Sequence, residues 1–582
     1  MGNMSRICIA ICVAAGLACA MTTPSMAAED QFLKLLPDQP LAVVRATGLG
    51  DEWQIIKNSD FAKRFQETAP PDIANGLQNI RNMIAQLQVN SGIDAEEVLK
   101  DVFGNDCLAA FYGKGDGVFI AISPMPMRLK DAADKIVTLE RAWGRIQAEN
   151  AQTYKLVEIR QTTFVPRRPD DPPFTRYHCF LDNAIVVSSN LDTIKKVIDI
   201  SANKARTTGP TEMAEAFAAM DNDAVLRGYV DTDTLSQKVD IEAALNGKLR
   251  HPFARFVVGE VKGLLPLIKY VAVTATPKAN ALEVKHSIVY DEQKCPDRLK
   301  ALLPKAGSTL DILQLAPEAS AFCLGHQVSK AALWQEIMWN VNEYSPERAQ
   351  RVQAQAQGVA GMIGGMTFDQ LVGKLGDQAG IFVTSADAPD AVPAISVVLE
   401  IKEGQDIATA FRTLAGTAAG FAQMEAGKTG APPKAVLAQE TWHDVPFTIL
   451  KLTEEKFGGH LNLTLFVLDN MLVISSNTDA ARMIVDRHAA GKQDLKKTLG
   501  LPAFTGTPGC TGTIDLKRVS QTVLRHKLFL INEDVRKGKP QDRAEKDIAN
   551  LSFLLGLADG VTFYSTHTPS RIDNVWQLRF PK

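Results

Sequence analysis

Motifs that carry chemistry are scarce in this sequence. No two cysteines stand as Cys-x-x-Cys, no histidines are spaced as His-Glu-x-x-His, and no serine occupies a Gly-x-Ser-x-Gly elbow. Those gaps exclude the sequence-local forms of thiol redox, zinc-peptidase and α/β-hydrolase chemistry. The nine histidines are scattered with no pair at i, i+4. Charge of one sign is also lacking: 63 basic against 66 acidic residues leaves a net charge of −3, with no long basic block, so nothing draws the chain to nucleic acid. After residue 28 no apolar run approaches membrane-spanning length, so the mature chain is expected to carry no transmembrane span. Three of the eight cysteines (Cys8, Cys12, Cys19) precede residue 20, leaving Cys107, Cys179, Cys295, Cys323 and Cys510. Five thinly spread cysteines exclude a disulfide framework and leave a single bridge open. Cys107 and Cys323 lie in apolar, strand-like settings and read as buried thiols.

What is present begins with an address. Arg6 precedes an apolar run from Ile7 to Ala20, then Thr22-Thr23-Pro24-Ser25 and Ala27-Ala28-Glu29. This is the pattern of a signal peptide over residues 1–27, too short for a bilayer-crossing helix, with Ser25-Met26-Ala27 supplying small residues for cleavage. A periplasmic or extracellular location follows as the expectation. Lipid anchoring at Cys19 is weakly supported, because Gly16 stands where such a site wants leucine.

The body of the chain repeats itself. Leu181-Asp182-Asn183-Ala184-Ile185-Val186-Val187-Ser188-Ser189-Asn190 matches Leu468-Asp469-Asn470-Met471-Leu472-Val473-Ile474-Ser475-Ser476-Asn477. Further pairs keep the same order: Trp53-Gln54 with Trp334-Gln335, Gly104-Asn105-Asp106 with Gly376-Asp377, and Gly228-Tyr229-Val230-Asp231 with Gly512-Thr513-Ile514-Asp515. Order kept while spacing drifts is the mark of duplication followed by loop insertions. Copy one is placed at 30–293, a linker at 294–309 and copy two at 310–582. Within each copy, short apolar strands alternate with amphipathic helices such as 73–88, where Leu77, Ile80, Ile84 and Leu87 share a helical face. Hairpins outnumber crossover units, so the expected fold class is α+β, two tandem diverged copies with mainly antiparallel sheet. The leading Leu-Pro strand, Gly92-Ile93-Asp94 and the Asp-Asn hairpin running into Ser188-Ser189 resemble exported bacterial proteins grouped as a domain of unknown function. That resemblance implies an envelope location and carries over no activity.

Polar residues common to the copies have backbone work to do. Asp182 and Asp469 head two-residue hairpins that need positive φ, and Asn190 and Asn477 stand where a strand enters a helix. Asp231 and Asp515 are placed as helix caps, and Trp53 and Trp334 as core residues of amphipathic helices. Two motifs mimic chemistry. Ala422 to Thr429 satisfies a loose P-loop, but a helix precedes it and Gly430-Ala431-Pro432-Pro433 follows, the reverse of what phosphate binding requires. Ser201-Ala202-Asn203-Lys204, Ser188-Ser189-Asn190 and Lys428-Thr429-Gly430 imitate the boxes of penicillin-recognising enzymes in the wrong order.

The reading is a non-catalytic exported envelope protein, not an enzyme, that binds or scaffolds through its duplicated unit. No catalytic, cofactor-binding or metal residues are assigned, and no cofactor. The expected partner is an envelope protein or an apolar ligand, with copy-specific loops at 166–173 and 427–433 as candidate contacts. Two alternatives stand beside it: a carrier or sensor of an apolar molecule, and a hydrolase whose site assembles only in the fold, for instance around His443 and Asp444.

Overall fold

The computed structural model describes residues 33–51, 60–92, 94–113, 115–166, 173–203, 211–238, 264–305, 307–362, 366–385, 393–402, 404–430, 432–452, 462–493, 495 and 507–581. The leader, Cys19, Trp53, Ile93, the acid pairs Asp170-Asp171 and Glu454-Glu455, and most of the 166–173 loop lie outside them. Two compact units emerge, one holding the described residues up to Asp291 and the other those from Glu292 to Arg579.

The first unit has ten described strands: β1 Ala42–Thr47, β2 Asp106–Gly113, β3 Asp116–Ile122, β4 Ile146–Tyr154, β5 Val157–Phe164, β6 Phe174–Leu181, β7 Ala184–Ser188, β8 Leu226–Asp231, β9 Ile268–Lys278 and β10 Ala281–Tyr290. They pair as β4-β5-β6-β7-β3-β2-β1-β8-β9-β10, antiparallel at every step. Central strands are apolar at consecutive positions because both faces are covered. On β7, Val186 joins a core with Ile194, Val197 and Ile198 of the helix Leu191–Ala202. Its neighbour Ile185 faces the other way, against Leu129 and Ala132 of the helix Pro126–Ala142 and Val98 of Ala95–Phe103. Each such side chain, fully buried, contributes roughly 1.5–3 kcal/mol.

The second unit has β11 Ser320–Gln327, β12 Leu375–Thr384, β13 Ala394–Ile401, β14 Ala435–Trp442, β15 Val445–Leu452, β16 Asn462–Leu468, β17 Met471–Ser475, β18 Thr507–Asp515, β19 Gly560–Thr568 and β20 Arg571–Arg579. Their order, β14-β15-β16-β17-β13-β12-β11-β18-β19-β20, again wholly antiparallel, is that of the first unit strand for strand. Val473 packs toward Ile484 and Val485 of the helix Thr478–Ala489, while Leu472 packs toward Ile407 and Ala408 of Gly404–Thr429. The α+β class with antiparallel sheet is therefore observed in each unit. The helix Pro126–Ala142 stops where Gly144 takes a positive φ of 64° and Ile146 opens β4.

Candidate binding clefts

The repeated polar residues act on the backbone. Asp182 and Asp469 sit at φ 42° and 51°, the conformation the hairpin turns between β6 and β7 and between β16 and β17 demand. Asn190 Oδ1 accepts from Asp192 N at 2.9 Å, and Asn477 Oδ1 from Asp479 N at 2.7 Å and Ala480 N at 3.2 Å. Asp231 Oδ1 accepts from Thr234 N at 2.8 Å, and Asp515 Oδ1 from Arg518 N at 2.9 Å. Five N–H groups are thereby satisfied at helix starts where no intrahelical acceptor exists.

A second equivalence had no signal in residue identity. At the tip of the β4–β5 hairpin the Tyr154 hydroxyl donates to Asp199 Oδ2 at 3.2 Å, Lys155 Nζ lies 2.8 Å from Asp199 Oδ1, and Lys195 stands over the Tyr154 ring at 5.7 Å. At the β14–β15 tip the Trp442 indole donates to Asp486 Oδ1 at 2.7 Å, His443 Nε2 lies 3.1 Å from the same oxygen, and Arg482 covers the Trp442 ring at 5.0 Å. An aromatic, two cations and an aspartate hold corresponding places in the two units, the aromatic and the cations differing in type and the aspartate not, so the hairpin is latched to its neighbouring helix in both. His443 and Asp444 are themselves the positive-φ turn residues, at 44° and 64°. The His443 ring pairs with Asp486.

A cleft of about 540 Å³ opens in the first unit between the helix Pro126–Ala142 and β4 to β6. Its charges are matched: Arg160 meets Asp134 at 2.7 Å and Glu158 at 2.6 Å, and Arg141 meets Glu149 at 2.8 Å. His178 lines it at only 3% exposure, its Nε2 buried without a hydrogen-bond partner. Burial, reinforced by Arg176 and Arg160, pushes the His178 imidazole down to about 4. A general base works best near the ambient pH, so this ring is a poor one. Its chain neighbour Cys179 points to the opposite face, into the core, as strand alternation requires.

A second cleft, about 430 Å³, runs between the helices Lys330–Tyr344 and Pro346–Met362. Trp334 lines it, which corrects the expectation of a core tryptophan: its ring leans on Phe368 with centroids 4.5 Å apart, and its indole donates to Asp369 Oδ1 at 2.9 Å. Three helices, Lys330–Tyr344, Pro346–Met362 and Phe368–Lys374, meet here, and the Trp334 ring is half-buried among them. Trp339, 44% exposed, Gln350 and Gln353 complete the wall, and sequence reasoning missed them. The one available signal was a second tryptophan on a helix otherwise rich in amides.

Thiol chemistry is held off as well. Cys107, Cys179, Cys295, Cys323 and Cys510 are all free, and burial lifts Cys107 and Cys179 to about 12 and Cys323 to about 11. The P-loop mimic ends the helix Gly404–Thr429, with Gly430 at φ 68° and the Thr429 hydroxyl donating to the Glu425 carbonyl. Among the described residues no three His, Cys, Asp or Glu gather as a metal site.

No family model and no curated protein matches the chain. Solved structures described as crystal forms I, III and IV of TP0453 align at 8–10% identity, over 45–50% of this chain and 81–90% of theirs, with TM-scores of 0.23–0.24.

Proposed function

We propose that the chain is an exported, non-catalytic envelope protein built from a duplicated α+β unit, and that it works by binding. The observation that carries this reading is the use made of the shared polar residues. Asp182, Asn190, Asp231 and their later equivalents are committed to turns and helix starts, so duplication has preserved a scaffold. Identical strand order in the two units supports duplication, and the apolar leader ahead of Ser25-Met26-Ala27 supports export. The described residues form an ion-paired cleft over β4 to β6 in the first unit and an aromatic, amide-lined cleft between helices in the second. Clefts of unlike lining on an α+β frame suit recognition of unlike groups.

The test uses the mature chain and isolated envelope fractions of the source cell. Saturable co-sedimentation that leaves the fraction chemically unchanged by mass spectrometry is the expected result. Release of fragments on prolonged incubation would make the protein an enzyme and end this reading.

A further inference from the structure

Resting on that binding reading, we propose that the cleft between Lys330–Tyr344 and Pro346–Met362 is a carbohydrate site that takes a neutral, glucose-configured pyranoside. Sugars of this kind present an apolar C–H face to an aromatic ring and hydroxyls around their edge. The cleft has both complements. Trp334 and Trp339 supply ring surface, and Gln335, Asn342, Gln350 and Gln353 bring side-chain amides, each able to donate and accept toward neighbouring hydroxyls. Its volume of about 430 Å³ lies within the range of small-molecule sites.

The rings are fixed before any ligand arrives. Arg298 lies on the Trp339 ring at 3.6 Å and is itself held by the buried carboxylate of Glu336, which also accepts from Asn340 Nδ2 at 3.2 Å. Trp334 is tethered by Asp369 and braced by Phe368, whose helix begins in a capping box between Thr367 and Gln370. Prior immobilisation lowers the entropic cost of stacking. Charge then narrows the ligand. Among the described lining residues none is basic and Asp369 is acidic, while Arg298 behind the Trp339 ring is already paired with Glu336, which disfavours anionic sugars.

Isothermal titration of the mature full-length chain with cellotriose and chitotriose tests this, with choline as a competitor. Saturable binding of at least one saccharide is expected, weakened about tenfold or more by Trp339→Ala and by the exposed pair Gln350→Ala/Gln353→Ala, and untouched by Trp143→Ala. Trp143 is a similarly exposed indole on the first unit. The glutamine pair keeps the test valid if Trp339→Ala fails to fold. Absence of binding by both saccharides to about 10 mM, binding indifferent to these variants, or displacement by choline overturns the assignment. Should envelope co-sedimentation persist while saccharide binding is absent, this inference alone fails; loss of both removes the binding reading too.

Discussion

His178 is a residue whose burial works against its ionisation. An imidazole at 3% exposure, flanked by Arg176 and Arg160, cannot hold a proton at ordinary pH, and the nearby Asp134 and Glu158 offset this only in part. Its folded pKa of about 4 lies below the ordinary 6.5, so the unfolded chain binds the proton more readily. The stability this ring contributes is complete above about pH 6.5 and is lost as pH falls toward 4. His326, also pushed down to about 4 by burial, adds to the same window from the second unit. Replacing His178 by Gln is expected to flatten the decline of Tm between pH 6.5 and 4, removing on the order of 3 kcal/mol of acid sensitivity. An unchanged slope in a folded variant would place the proton elsewhere.

At the scale of elements, equivalent positions diverge where packing differs. Gly228 on β8 and Gly512 on β18 stand in matching Gly-x-x-Asp segments, each in a central strand. A β-carbon on Gly228 would sit 3.6 Å from the Val273 side chain, an ordinary contact. On Gly512 it would fall 2.4 Å from the Phe563 ring and 2.5 Å from the Cys323 carbonyl, with backbone on one side unable to yield. Gly512→Ala is therefore expected to destabilise by about 1–3 kcal/mol and Gly228→Ala by less than half as much, measured by urea unfolding. Equal costs would contradict this packing. The same contrast explains what the sequence disclosed. The hairpin headed by Asp469, which joins β16 to β17, was legible, because turn chemistry and β-branched runs are local. Which helices close a cleft was not, because Trp334 and Trp339 look like core tryptophans until the helix Pro346–Met362 is placed beside them. The His178 cleft was hidden for a related reason, its charged partners being spread over Asp134 to Arg176 and joined only by the β5–β6 pairing and the helix above it.

For the whole molecule, the two units share one strand order and one kind of hairpin latch. Tyr154, Lys155, Lys195 and Asp199 do with a phenol and two amines what Trp442, His443, Arg482 and Asp486 do with an indole, an imidazole and a guanidinium. Chemistry at a reacting centre would not tolerate such exchanges; a mechanical contact does. If the common polar residues serve structure and not chemistry, other residues with the same backbone preferences should replace them. Glycine supplies the positive φ of Asp182 and Asp469, and serine caps helices about as well as Asn190, Asn477, Asp231 and Asp515. The most direct measurement is a combined variant carrying glycine at the first two and serine at the other four, followed by thermal unfolding and envelope co-sedimentation. A Tm within about 5 °C of the parent and undiminished binding is the predicted result. A variant that folds as well as the parent yet no longer binds would contradict the account.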